Sequence, residues 1–341
     1  MPEQYLIYGA ELSPYSVKIR AYFRYKEIPH KWIIRDQKSN TEYKKFAKLP
    51  IVPLVVTPEK TGLQDSTPII KLLEHEYQNN SVSPPETHTA FVARILEEYA
   101  DEWLNKAMFH YRWRYEDDQM SASERFVELI IPVWANKIPL LNRVLKRKFA
   151  AEVRKRMIAR LWVVGSNKST ETQIEQSLNV FLNLSEQHLQ DRPYFFGFRP
   201  SIADFGIWGQ VYNMWTDPTV GQIIESSHPE TLKWIKRMLH PKPEGEFEPW
   251  ESLEATLMPI LKQELADVFM PWLEANNKAL AKGEKELSVK IKGKDFTHSV
   301  GSPQKYHAKS FAMLLEEYND IPDKTKLDAV LQEAGLINYF K

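Results

Sequence analysis

Apolar and polar positions change their period along this chain, and the changes mark its elements. Tyr5 to Tyr8 is a short continuous apolar run, which predicts a buried strand. Ser13-Pro14 then opens an amphipathic helix reaching Lys26. Proline is favoured at the first helical position, where its missing N–H costs nothing. Pro29 to Ile34 alternates and predicts a second strand, Asn40 to Lys48 a short polar helix, and Val52 to Thr57 a strand that begins around a proline. Gln64 ends a short hairpin arm, and Ser66 to Tyr77 is helical. A strand–helix–strand start followed by a hairpin and a helix describes a small mixed sheet, βαβαββα. Asn79 to Thr87 is polar and proline-rich and predicts a domain boundary.

From His88 the period is helical almost throughout, with amphipathic segments near 88–116, 121–163, 169–190, 202–216 and 229–239. Pro132 and Pro139 must break or kink the second of these. After the loop His240 to Pro249 the character changes again, to two or three helices and a short alternating strand pair near Leu287 to Val300. The organisation expected is therefore a first domain over 1–79, an all-helical domain over 88–240 and a mixed extension over 241–341. The extension carries Trp250, Phe269, Trp272, Phe296, Phe311 and Tyr339. Leaving such surface in water is unfavourable by about 25 cal/mol per Å², so the extension is expected to pack on the helical domain.

Composition narrows the functional classes. Across 341 residues, 45 basic and 45 acidic side chains cancel, so nothing draws the whole chain toward nucleic acid. The absence of cysteine excludes disulfides, a protein thiolate nucleophile and a cysteine-ligated metal, and it fits a reducing cytoplasm. The N-terminus lacks a cationic-then-apolar signal pattern, and runs such as Leu129 to Trp134 are too short to span a bilayer. No metal-site spacing or phosphate loop is present.

Chemistry concentrates in the first domain. Ser13 sits where a helix begins, with free backbone donors and the positive end of the helix dipole beside it. Such a place can hold a thiolate. The segment Tyr8-Gly-Ala-Glu-Leu-Ser-Pro-Tyr-Ser-Val-Lys-Ile-Arg20 resembles the Ser-Pro-Phe or Cys-Pro-Tyr-Cys turn in the thioredoxin-like domain of cytosolic glutathione transferases, with Ser13 and Ser16 at both cysteine positions of the redox version. The resemblance runs over about residues 4–240 and includes Val52-Pro53, the family's cis-proline position, and Asp65-Ser66, its acidic-Ser pair. It also includes Ser201-x-x-Asp204, a capping box before an apolar helix whose role is folding.

That resemblance implies a thioredoxin-like domain followed by an all-α domain, with glutathione as co-substrate. Asp65 and Ser66 would grip its γ-glutamyl end, and Val52 beside Pro53 would pair with its cysteinyl backbone. Lys48 or Lys45 would assist the glycyl carboxylate. Ser13 would donate a hydrogen bond to the thiolate, with Ser16 and Tyr8 as the alternatives. Tyr15 and one face of the first long helix, Trp103, Ala107, His110 and Arg114, would line a pocket for a hydrophobic electrophile, although the same residues read equally as inter-helix core. The implied protein is a cytoplasmic homodimer with neither nucleic acid nor a membrane span among its partners. Two other readings stand beside it. One is a non-catalytic transferase-like binding or scaffold protein. The other is a glutathione-dependent thiol reductase, against which the missing cysteine argues. The locally basic run Arg143 to Arg160 reads either as an anion-binding surface or as a solvated helix face.

Overall fold

The computed structural model describes residues 4–131, 139–301 and 304–341. The first domain is β1 (Tyr5–Gly9), α1 (Pro14–Tyr25), β2 (His30–Ile34), α2 (Asn40–Phe46), β3 (Leu54–Val56), β4 (Gly62–Gln64) and α3 (Ser66–Glu76). The strand order is β2-β1-β3-β4. β1 runs parallel to β2 and antiparallel to β3, and β4 closes the edge antiparallel to β3. Side chains alternate across the sheet as the pleat requires. Tyr5, Ile7 and Val55 join the core with Val17 and Phe23 of α1 and Ile69 and Ile70 of α3, while Tyr8, Leu54 and Val56 pack with Tyr43 of α2 on the other face. This is the thioredoxin-like layering expected from the sequence.

The helical part begins with one continuous rod: α4 (Thr87–Tyr99), a π-helical stretch Ala100–Leu104 and α5 (Asn105–Arg114). α6 (Glu116–Ile130) follows, and α7 (Pro139–Ile158) runs on to a 3₁₀ turn, Leu161–Val164. Pro132 falls outside the described residues, and Pro139 begins α7. Next come α8 (Glu171–His188), α9 (Ile202–Trp215), α10 (Pro218–Ser227) and α11 (Pro229–Arg237). The sequence reading left α10 unassigned, although Asp217-Pro218 is an ordinary helix start. α9 is buried nearly all round and abuts α1 and α4 through two glycines. A Cβ at Gly209 would lie 2.7 Å from the Pro14 carbonyl oxygen, and one at Gly206 would lie 2.9 Å from Glu97 Cγ. The Ser201–Asp204 capping box is present. Asp204 also accepts from the Phe195 amide (2.9 Å) and the Trp234 indole (3.0 Å).

Residues 250–282 form a second long rod rather than separate helices: α12 (Trp250–Ile260), a π-helical stretch Leu261–Phe269 and α13 (Met270–Lys282). The hairpin β5 (Glu286–Ile291) and β6 (Lys294–Ser299) turns at Lys292-Gly293, where φ is +47° and +79°, the primed-turn geometry that suits hairpin twist. α14 (Gln304–Asn319), α15 (Thr325–Glu333) and a short 3₁₀ turn complete the chain. Aromatic pairs join this extension to the first rod. Phe91 meets Tyr318 (5.8 Å) and Phe340 (5.5 Å), Tyr99 meets Phe269 (5.9 Å), and Trp103 meets Trp272 (5.9 Å) and Phe296 (5.7 Å).

Candidate functional site

Chain direction decides which residues meet. The ladder pairs Tyr8 of β1 with Leu54 of β3, and Leu54 with Gln64 of β4. The segments next to those residues, Ala10–Ser13, Val52–Pro53 and Asp65–Ser66, therefore share one end of the sheet. Ser13 caps α1 in an extended conformation, and its Oγ accepts from the Ser16 amide at 3.3 Å. That leaves its hydroxyl proton free to donate elsewhere. Ser16 and Tyr8 are buried, at 0% and 3% exposure, whereas Ser13 is half-buried. Of the hydroxyls considered at this turn, Ser13 is the one a ligand can reach.

The Val52-Pro53 peptide is cis, and Val52 lies before the first ladder pair. A residue the sequence reading passed over organises this rim. The Gln64 amide donates to the carbonyls of Leu49 (2.9 Å) and Ile51 (3.0 Å), and its Oε1 accepts from the amides of Lys48 and Leu49, each at 2.9 Å. Tyr43 donates to the same two carbonyls, at 2.8 and 2.6 Å. The hydroxyl of a buried tyrosine and both ends of a strand-end glutamine amide thus hold the 48–51 loop. Of the two candidate lysines, Lys45 pairs with Glu42 at 2.5 Å, and the exposed Lys48 makes no ion pair among the described residues. Asp65 is exposed and has φ +80°, a region uncommon for non-glycine residues and often found at functional sites. Its charged neighbours are Lys18, Glu97 and Lys309 of α14. Ser66 begins α3 and is buried.

Beneath this rim lies a buried ionic network. Lys18 Nζ reaches Glu97 (2.5 Å) and Asp101 (2.6 Å). Arg94 pairs with Glu97, with Glu98 (3.3 Å) and, across to α14, with Glu317 (3.3 Å). Burial pushes the Asp101 carboxyl up to about 7 against the pull of Lys18. Burial also raises Glu97, but Arg94 and Lys18 outweigh it and hold that carboxyl below its usual range. The Tyr15 hydroxyl donates to the Asp101 carbonyl at 2.8 Å, so it fastens α1 to the π-helical stretch rather than facing a ligand.

Arg112 fixes the approach to Ser13. Its guanidinium donates to the Leu12 carbonyl (2.9 Å), to Asp217 (2.7 Å) and to both oxygens of Asn213 (3.0 Å each). Arg112 and Asp217 are buried, and Asp217 also holds Arg125. The sequence signal was a basic residue two positions from Arg114, between Tyr111 and Trp113.

The structure does not bring the expected pocket face to Ser13. Trp103 donates to Ser177 of α8 (2.8 Å) and packs on the extension. Ala107 is buried at 2% exposure. His110 bonds Ser166 (2.8 Å) and Glu175 (3.0 Å), and burial pushes its imidazole pKa down. Arg114 pairs with Glu171 of α8 at 2.7 Å. Trp103, His110 and Arg114 each bond a residue of α8. Two residues that do reach the first domain, Asp101 and Arg112, precede Trp103 and Arg114 by two positions, which is about 200° around a helix.

A thioredoxin-like domain joined to an all-helical one is thus the architecture, with its polar convergence at the sheet end that carries Ser13. Residues 7–81 match the model of the glutathione S-transferase N-terminal domain. No curated protein sequence matches it. Solved structures that resemble it include a glutathione S-transferase from Rhodospirillum rubrum, at TM-score 0.44 and 14% identity over 74% of this chain and 99% of that one. Another is a glutathione S-transferase from Methylobacterium radiotolerans in complex with glutathione sulfonate, at 0.41 and 16% over 72% and 99%. A third is the beta-etherase LigF of Sphingobium, at 0.45 and 15% over 69% and 94%.

Proposed function

We propose that this protein is a glutathione transferase that joins the glutathione thiolate to a hydrophobic electrophile. The observation that carries the proposal is the convergence of Ser13, Val52-Pro53 and Asp65-Ser66 at one end of a sheet formed within the residues the family model matches. In this reading Asp65 takes the ammonium of the γ-glutamyl group and the start of α3 takes its carboxylate. Val52 pairs with the cysteinyl backbone, and Lys48 stands at the glycyl end. The Ser13 proton, left free by the bond from the Ser16 amide, is donated to the sulfur. A free thiol titrates near about 8.5, so a donor and a helix N-terminus that favour the anion raise the reactive fraction at neutral pH. The sulfur lone pair then forms the bond to carbon, the leaving group departs with its electron pair, and the thiol proton has already passed to solvent. Ser13 acts as a hydrogen-bond donor and never as a covalent nucleophile. The domains of this reading are 1–79, 88–240 and 241–341.

Calorimetry with reduced glutathione, and turnover of an activated aryl halide by the full chain and by Ser13→Ala, test the proposal. Expected are binding that Ser13→Ala leaves nearly unchanged, and a pH–rate profile that the same change moves to higher pH. Absence of binding at millimolar glutathione refutes the site. An unmoved profile refutes the role of Ser13.

A further inference from the structure

The helix α7 presents a stripe to solvent that neither folding nor the proposed conjugation uses. Leu141, Val144, Lys148, Ala151, Lys155 and Ile158 recur at three- and four-residue spacing and so share one face. All six are exposed. Trp162, in the 3₁₀ turn that follows, is exposed as well. The opposite face is the packed one, with Ala150 and Val153 buried against α6 and α5. Exposure of large apolar side chains on the stripe is high: 56% at Val144, 45% at Trp162, 39% at Ile158 and 37% at Leu141. An ordinary solvated face would carry polar residues at these positions.

Charge on the helix is one-sided. Its 20 residues hold seven lysines or arginines and one acid, Glu152. Its single ion pair among the described residues joins Lys146 to Glu128 of α6. Glu124 and Glu128 border the groove that also contains Arg143, Arg147 and Arg154, so α6 answers the cations on that flank. Lys148, Lys155 and Arg156 have no such answer among the described residues and are exposed. The whole chain is neutral, so the positive excess of this helix is local and is offset elsewhere in the chain.

From this combination we infer that α7 and Trp162 form a docking face for an anionic lipid surface, on which the protein lies peripherally. Exposed aliphatic residues and a tryptophan beside unpaired cations are the composition that seats a helix at the headgroup boundary. A second copy meeting the same stripe about a twofold axis would set Lys148 and Lys155 against their own equivalents. A polyphosphate would leave Val144, Leu141 and Ile158 without a role. No helix among the described residues is long and apolar enough to cross a membrane, so the contact proposed is with the surface.

Cosedimentation of the full chain with phosphatidylcholine vesicles, with and without phosphatidylserine, tests this at low and high salt. Binding is expected to need phosphatidylserine and to weaken with salt. Each near-surface cation contributes about fivefold in partitioning, so Lys148→Glu with Lys155→Glu should lower it by at least about 25-fold. Val144→Ser with Ile158→Ser should lower it about tenfold or more while leaving the charge intact. These positions are exposed, and unchanged thermal melting of each variant confirms that the fold is kept. Equal binding to neutral vesicles, no binding to anionic ones, or binding that survives the double charge reversal overturns the inference. Retention of the chain on single-stranded RNA without vesicle binding also overturns it and assigns the stripe to a polyphosphate.

Discussion

Glu264 offers a test of the packing that needs no substrate. It lies on the π-helical stretch of the extension with a side chain that is 0% exposed. It accepts from the Tyr99 hydroxyl at 3.1 Å and from the Ser177 hydroxyl, and it faces Lys292 Nζ at 3.2 Å. Burial outweighs these partners and raises its carboxyl from 4.5 to about 7. A carboxyl whose pKa rises on folding favours the folded state when protonated. That contribution is complete below about 4.5 and is lost as pH climbs through about 7. The interval of about 2.5 pH units corresponds to about 3 kcal/mol at 1.36 kcal/mol per unit. Glu264→Gln keeps the shape and an acceptor but removes the titration. Its stability relative to the parent chain should therefore increase by about 3 kcal/mol between pH 4.5 and pH 8. Other titrating groups, Asp101 included, are common to both proteins and cancel in the difference. Urea unfolding of both chains across that range measures it. A stability difference that stays flat with pH refutes the argument, and one that falls with pH would mean that Lys292 dominates the site.

Lys106 titrates with the opposite sign. It is 1% exposed, its ammonium stands 3.7 Å from the Trp272 ring centre, and burial lowers its pKa to about 7. Lys106→Met should stabilise the chain at pH 7 by up to about 5 kcal/mol, with the gain fading as pH rises toward 10.5, as denaturant melts would show. Arg112→Met should cost about 2–4 kcal/mol of stability, since Asp217 keeps Arg125 as a partner. The same change frees the Leu12 carbonyl, so kcat for conjugation should fall more than glutathione affinity does. An unchanged ratio of the two would make Arg112 purely structural. A chain ending at Pro241 uncovers Phe91, Tyr99 and Trp103 and should appear unfolded or aggregated by circular dichroism and gel filtration. A stable, monodisperse product would contradict the packing described.

The small sheet was legible because its signals are local. Period-two alternation, a proline at a helix start and a polar linker each act within a few residues, and the structure moves the element ends by only a residue or two. Ser13, Val52-Pro53 and Asp65-Ser66 could be placed together because strand order alone brings their segments to one sheet end. The stabilising residues behind them were not legible. Gln64 and Arg112 act through backbone carbonyls of other segments, and no spacing rule relates a side chain to a carbonyl it reaches only after folding. Lys18, Arg94, Glu97 and Asp101 belong to the same class. In sequence they are charged helix positions, which usually face water, and only the apposition of α1, α4 and α14 turns them into a buried network.

Helical spacing grouped Trp103, Ala107, His110 and Arg114 on one face but could not say what that face looks at. Two residues of offset decide between opposite sides of a helix, and the side is chosen by what else the chain has to bury. Here the extension supplies the competing demand. Trp272 and Phe296 need aromatic neighbours, and Trp103 provides one while its indole satisfies Ser177. The first rod then turns Asp101 and Arg112 toward the first domain, where they hold Tyr15 and Leu12. The extension therefore does more than occupy surface. By claiming one side of the rod, it determines which residues of the helical domain are left to position Ser13.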